Sequence, residues 1–145
     1  MVRVKIKKLH QDAVIPQYQT KGAAGFDFHA IEDMEISPRQ TVLVKTGLSM
    51  EIPEGYELQV RPRSGMSLKT KIRVANAPGT VDSDYRGEIC IIMENIGMLA
   101  SFPYQIKKGD RIAQGVICPV YQAAFIEEEL SETERGEGGF GSSGK

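Results

Sequence analysis

Residues 42–62 read VLVKTGLSMEIPEGYELQVRP. Tyr56, Leu58 and Val60 alternate with Glu57, Gln59 and Arg61, and a period of two sends successive side chains to opposite faces of a strand. Pro62, which has no N–H to donate, stops that strand. Upstream, residues 42–50 are rich in Val, Thr and Leu and form a second expected strand. Turn-like Ser37-Pro38 precedes it and Pro53-Glu54-Gly55 follows it. The same grammar continues outward in both directions. Val2, Val4 and Ile6 alternate with Arg3, Lys5 and Lys7. Ile72 and Val74 flank Arg73. Residues 88–94 contain Ile89, Cys90, Ile91, Ile92 and Met93, an apolar run expected to be a strand buried on both faces. Residues 112–120 make another strand ending around Pro119, and residues 124–128 a short last one. One helix is expected, at residues 64–70, with Ser64 as N-cap and about two turns. Many short strands punctuated by 15 glycines and seven prolines predict an all-β sandwich or barrel. The repeated long helices of a doubly wound α/β fold are missing from the pattern.

Composition narrows the function classes. The chain has 145 residues with 18 Lys+Arg and 19 Asp+Glu, a formal net charge of −1. Nucleic acid held by bulk charge requires a basic footprint, so it is not expected as a partner. Charged residues at 26% and hydrophobic residues at 41% are ordinary for one globular domain. Two cysteines, Cys90 and Cys118, make no disulfide framework, which favours a reducing compartment. The apolar run at residues 89–93 is too short to span a bilayer. The basic–apolar interleaving of residues 1–10 is unlike a signal peptide. A soluble, cytoplasmic protein with no membrane partner is expected. Composition shifts near the C-terminus: residues 127–134 are acidic and residues 136–144 are nearly all Gly and Ser. The expected division is a barrel domain at residues 1–134 and a flexible Gly-rich arm at residues 135–145. Within that arm, GxGxxG at residues 136–141 and GxxxxGK at residues 139–145 are accidental, because those folds need a strand before the motif and a helix after it. Glycine-rich backbone can still wrap N–H groups around an anion, and Phe140 is an isolated ring that calls for a flat partner.

Four further segments read as site loops. Ala24-Gly25-Phe26-Asp27-Phe28 sets a carboxylate among small and aromatic residues. Pro62-Arg63-Ser64-Gly65-Met66-Ser67 breaks a strand and opens the expected helix, whose free N–H groups favour phosphate. The stretch from Gly79 to Gly87, GTVDSDYRG, clusters Asp82, Asp84 and Tyr85 in a hairpin or tight loop. The stretch from Gly109 to Gly115, GDRIAQG, turns into a strand. Taken singly, Asp27, Asp82 and Asp84 are ordinary turn residues, Arg63 and Arg111 solvated charges, and Tyr85 a strand aromatic. His10, His29, Cys90 and Cys118 lack zinc-ligand spacing, and no nucleophilic triad signature is present.

Taken together and in order, these segments and the arm are far more specific. AGFDFHA at residues 24–30, PRSGMS at 62–67, GTVDSDYRGEI at 79–89, RIAQGVICP at 111–119 and RGEGGFGSSG at 135–144 resemble, from end to end, the five motifs of the homotrimeric deoxyuridine triphosphate nucleotidohydrolases (dUTPases). Two departures are mild. Gly115 stands where a bulkier apolar residue is frequent, and Ser143 where Thr is common. The resemblance implies a jelly-roll-type β-barrel trimer with active sites shared between subunits. It also implies hydrolysis of dUTP to dUMP and pyrophosphate, which keeps uracil out of DNA and supplies dUMP for thymidylate synthesis. It assigns Mg²⁺ as cofactor, with Asp27 acting on the metal through water, and Asp82 as the base that activates the attacking water. Tyr85 would lie against the deoxyribose and exclude a 2′-OH. Asn76 would assist base recognition, and Gly79, Thr80 and Val81 would belong to the hairpin that reads uracil. Arg63, Ser64, Gly65 and Gln114 would contact phosphates. Arg135, Gly141, Ser142 and Ser143 would close over the triphosphate while Phe140 stacks on the base. Two other functions share parts of this pattern: a dCTP deaminase-like trimer and a non-catalytic nucleotide-binding regulator.

Overall fold

The computed structural model describes residues 1–140. Eleven strands and one short helix follow each other as β1 (Lys5–Lys8), β2 (Phe26–His29), β3 (Met34–Ile36), β4 (Thr41–Lys45), β5 (Leu48–Glu51), β6 (Tyr56–Arg61), α1 (Ser64–Lys69), β7 (Ile72–Val74), β8 (Gly79–Val81), β9 (Cys90–Asn95), β10 (Tyr104–Ile106) and β11 (Arg111–Pro119). Every pairing is antiparallel. The largest sheet has the order β2-β11-β6-β8, the next β4-β9-β7, and two-stranded ribbons β1-β5 and β10-β3 complete the set. The long strand β11 is the seam: its first half pairs with β2 and its second with β6. Its register with β2 shifts between Arg111 and Ala113. That bulge breaks strict alternation, so that Ile112 and Ala113 are both buried.

The sheets enclose one apolar core. Leu58 and Val60 of β6, Ile72 and Val74 of β7, Ile91 and Met93 of β9, and Phe28 of β2 all belong to it. The alternating patterns of β6 and β7 therefore place their apolar residues as expected. Four expectations need correction. Residues 42–50 are two strands, because Gly47 adopts φ 68° and turns the chain between β4 and β5. A Cβ there would lie 2.9 Å from that of Ala13, so the corner requires glycine on both counts. The apolar run around residues 88–94 buries only Ile89, Ile91 and Met93, whereas Cys90 and Ile92 are half-buried and line a cleft. No strand forms at residues 124–128. Phe125, Ile126 and Leu130 are exposed, because a strand needs a ladder partner and this segment finds none among the described residues. The helix forms as expected, but its N-cap is Arg63 rather than Ser64. Thr70 closes its other end, donating both its backbone N–H and its hydroxyl to the Met66 carbonyl.

The departure at Gly115 has a packing cause. A Cβ on Gly115 would lie 2.5 Å from Cε2 of Phe26 and 2.8 Å from Cε2 of Phe28. These two rings meet edge to face at 5.5 Å, occupying the space a side chain on β11 would need. We expect Gly115→Ala to destabilise the fold by about 1–3 kcal/mol through overpacking, read as a lowered Tm. Adding Phe26→Leu should recover part of the loss, because it vacates the closest collision. Additive losses in the double variant would show that the rings are not the cause.

Candidate active site

Strand β8 pairs with β6 through Gly79–Val60, Thr80–Gln59 and Val81–Leu58. Beyond Val81 the chain turns, with the Tyr85 N–H donating to the Asp82 carbonyl. The Arg86 guanidinium braces the turn by donating to the carbonyls of Ser83 (2.6 Å) and Tyr85 (2.9 Å). The Tyr85 hydroxyl donates to the Glu88 carbonyl at 3.1 Å. The Tyr85 ring crosses Gly87 so closely that a Cβ there would collide with its hydroxyl oxygen. Glycine at 87 is thus what lets the ring lie down across the return limb. Gly79 serves Asn76 similarly, since a Cβ at 79 would be 3.2 Å from the Asn76 amide nitrogen.

These groups border a cleft of about 300 Å³ lined by Asn76, Gly79, Thr80, Val81, Asp82 and Tyr85, with Leu43, Val60 and Ile92 as its apolar wall. An apolar slot with a few polar groups at its rim suits a flat heterocycle carrying a polar substituent. Cys90 also lines it. Burial pushes the Cys90 thiol up, Glu88 adds to this, and Lys45 opposes it. The shift disfavours the thiolate, the form a nucleophile requires.

A second cluster lies on β2, β11 and the β6–α1 loop. Asp27 faces Gln114 in register. Its carboxylate takes the Arg63 Nε at 2.8 Å and the Arg111 Nη1 at 3.3 Å. Arg63 also donates to the Arg111 carbonyl at 3.2 Å. Two guanidiniums on one carboxylate leave an excess positive charge, as an anion-binding surface requires. The Gln114 amide nitrogen donates to the Pro62 carbonyl at 2.9 Å, anchoring the loop that presents Arg63, Ser64 and Gly65. Its oxygen lies 2.7 Å from where a Gly25 Cβ would be, so the small residue at 25 makes room for Gln114. His29, two residues beyond Asp27 on the same face, has a buried Nδ1 with no partner among the described residues. Its pKa is lowered by burial; Arg111 and Arg63 add to this and Asp27 opposes it. Arg111 is the partner that sequence reasoning left out of the site. Its signal was the register of β11 on β2, which local sequence does not carry.

The two groups do not merge within one chain. Arg63, Ser64, Gly65 and Gln114 are not among the residues that line the cleft holding Asp82 and Tyr85. Arg135 donates to the Gly138 carbonyl at 2.7 Å, within the arm itself. Phe140 is fully exposed at φ 51°. Gly141, Ser142 and Ser143 lie outside the described residues. Among the described residues no group of three or more His, Cys, Asp or Glu side chains could hold a metal. A divalent cation fits this donor set only if a ligand brings oxygens of its own, with Asp27 as the hard carboxylate beside them.

The dUTPase family model matches residues 11–144. The deoxyuridine 5'-triphosphate nucleotidohydrolase of Nautilia profundicola is 59% identical over 99% of this chain and 100% of its own length. That of Helicobacter hepaticus is 56% identical over 99% of this chain and 89% of its own. Among solved structures, the dUTPase of Staphylococcus bacteriophage 80alpha with dUPNHPP superposes with a TM-score of 0.90 at 32% identity, covering 99% of both chains. A mutant dUTPase of the S. aureus phage phi11, described with a structural Mg(II) ion, superposes with a TM-score of 0.82 at 26% identity over 90% of this chain and 99% of its own. The expected all-β, jelly-roll-type architecture is thereby borne out, and the chain belongs to the dUTPase family.

Proposed function

We propose that this chain hydrolyses dUTP to dUMP and pyrophosphate in a homotrimer whose active sites are shared between subunits. The observation that carries the reading is the apolar cleft lined by Asn76, Asp82 and Tyr85. Uracil enters the cleft and is read by backbone groups of the hairpin from Val81 to Gly87, with the Asn76 amide assisting. Cytosine inverts the donor and acceptor pattern, leaving groups unpaired, a mismatch worth ~10⁴–10⁵ in specificity at sites built to hydrogen-bond their substrate. Tyr85, clamped over Gly87, lies against the deoxyribose and leaves no room for a 2′-OH. The exposed Asp82 carboxylate accepts a proton from the water whose oxygen attacks the α-phosphorus, and pyrophosphate departs. Positioning does most of the work, because an ionised Asp is a weak base.

The Asp27–Arg63–Arg111 cluster supplies the positive surface for the triphosphate, with Ser64, Gly65 and Gln114 beside it. A magnesium ion held by the phosphate oxygens, with Asp27 reaching its waters, would offset phosphate charge and polarise the reacting phosphorus. In the trimer, neighbouring subunits bring this cluster and the cleft together. Residues 121–137, all exposed, have the length and apolar side chains to reach a neighbour. The arm at residues 135–145 then closes over the nucleotide, Arg135 on phosphate and Phe140 on the base, completing what the barrel at residues 1–134 begins. No helix among the described residues is long and apolar enough to cross a membrane. The two free cysteines accord with a cytoplasmic setting and a role in limiting uracil in DNA while supplying dUMP.

Incubation with dUTP or dCTP and Mg²⁺, read for pyrophosphate and ammonia, tests the reading. Pyrophosphate from dUTP is expected; ammonia from dCTP would point to a deaminase, and neither product to a nucleotide-binding regulator. Asp82→Asn should lower turnover by ~10²–10⁴ while retaining dUTP binding, and near-parent turnover would remove Asp82 from the role of base. Tyr85→Ala should raise the ratio of UTP to dUTP kcat/KM even as both fall; an unchanged ratio argues against the sugar contact. Asp82→Asn subunits mixed with subunits truncated before Arg135 should regain activity that neither parent has. No recovery, once subunit exchange is verified, would mean that each site is built within one chain.

A further inference from the structure

The hairpin that carries Asp82 and Tyr85 is supported unequally along its two limbs. Its outgoing limb is strand β8, laddered to β6. Its returning limb, residues 86–89, belongs to no strand. Four hydrogen bonds hold this limb instead, all to residues 46–49, where the chain turns from β4 into the start of β5. The Ser49 hydroxyl donates to the Arg86 carbonyl at 2.8 Å. The Gly47 N–H donates to the Glu88 carboxylate at 2.9 Å. The Ile89 N–H donates to the Leu48 carbonyl at 2.7 Å. The Thr46 hydroxyl donates to the Ile89 carbonyl at 2.6 Å and accepts the Leu48 N–H at 3.3 Å.

Thr46 is 1% exposed and Ser49 7%. Buried hydroxyls are costly to leave unpaired, and both are spent on this one limb. The corner itself has no slack. Gly47 sits at φ 68° with Ala13, His10 and Ile31 all within about 3 Å of where a Cβ would be. A rigid corner therefore grips a limb that lacks a ladder, and Tyr85 is tied to that limb through its bond to the Glu88 carbonyl.

We propose that Thr46 and Ser49 are positioning residues that set the register of the substrate hairpin and, through it, the discrimination between nucleotides. The inference rests on the reading of the cleft given above. A hairpin that recognises a base by its backbone has no side chain to readjust. A displaced return limb moves Tyr85 and shifts the donors and acceptors that tell uracil from cytosine, and small misplacements at such sites cost rate and specificity disproportionately.

The test compares parent, Thr46→Val, Thr46→Ser and Ser49→Ala on dUTP and dCTP, reading pyrophosphate. Thr46→Val keeps shape and removes the hydroxyl, Thr46→Ser keeps the hydroxyl, and Ser49→Ala removes a single bond. For Thr46→Val we expect KM for dUTP to rise about tenfold, kcat to change less than about threefold, and the dUTP-over-dCTP ratio of kcat/KM to fall about tenfold. Ser49→Ala should move the ratio the same way by a smaller factor, and Thr46→Ser should restore it. A purely structural role would lower stability or the fraction of active enzyme and leave the ratio untouched. Folded Thr46→Val and Ser49→Ala with the parent's ratio would overturn the proposal, whatever their rates. If Thr46→Val does not fold, Ser49→Ala decides alone. Parent turnover of dUTP is measured first: its absence overturns the activity reading together with this one, whereas an active parent with an unmoved ratio overturns this one only.

Discussion

The ladder between β6 and β11, running from Gln114–Arg61 to Pro119–Tyr56, is the constraint on which the remaining geometry depends. Strand β6 is shared. On its other edge it carries β8 and hence the cleft, and past Pro62 it runs into the loop that presents Arg63. Strand β11 continues beyond β6 to pair with β2, setting Gln114 opposite Asp27. One pair of strands therefore fixes both the aromatic–carboxylate cleft and the guanidinium cluster, with Leu58 and Val60 buried beneath. Polar site residues are placed by apolar burial on the opposite faces of the same strands, an arrangement that the period of two makes possible.

Close approaches at small residues supply the second layer of order. Gly115 yields its volume to Phe26 and Phe28, Gly87 to the Tyr85 ring, Gly79 to the Asn76 amide, and Gly25 to the Gln114 amide. Except for Gly115, each of these glycines gives space to a side chain that the proposed mechanism uses. The interior tolerates such exchanges only when volumes balance, so the absence of a larger residue at 115 and the presence of two phenylalanines on β2 are one feature of the packing rather than two. The hydroxyl anchors at Thr46 and Ser49 extend this logic from shape to hydrogen bonding.

Much of the barrel was legible in local alternation. Leu58 and Val60, or Ile72 and Val74, need only their own neighbours to declare a buried face. The corner at Thr46-Gly47 was not, because β-forming residues lie on both sides and a glycine does not announce its φ. Phe125 and Ile126 read as strand because composition reports propensity and not the presence of a partner. Ser64 read as the cap by residue type, yet the extended backbone at Arg63, φ −88° and ψ 133°, begins the helix one residue earlier. Of the site, Asp82, Tyr85 and Asn76 were found through motif resemblance and come together in the cleft. The pairing of Asp27 with Arg111 needed the cross-strand register, which only the folded chain contains.

The central claim is that this chain directs water onto the α-phosphorus of dUTP. Hydrolysis in water enriched in heavy oxygen isotope, with mass analysis of both products, addresses it directly. The label is expected in dUMP, with the pyrophosphate unlabelled. Label in pyrophosphate, or release of orthophosphate in its place, would contradict the account.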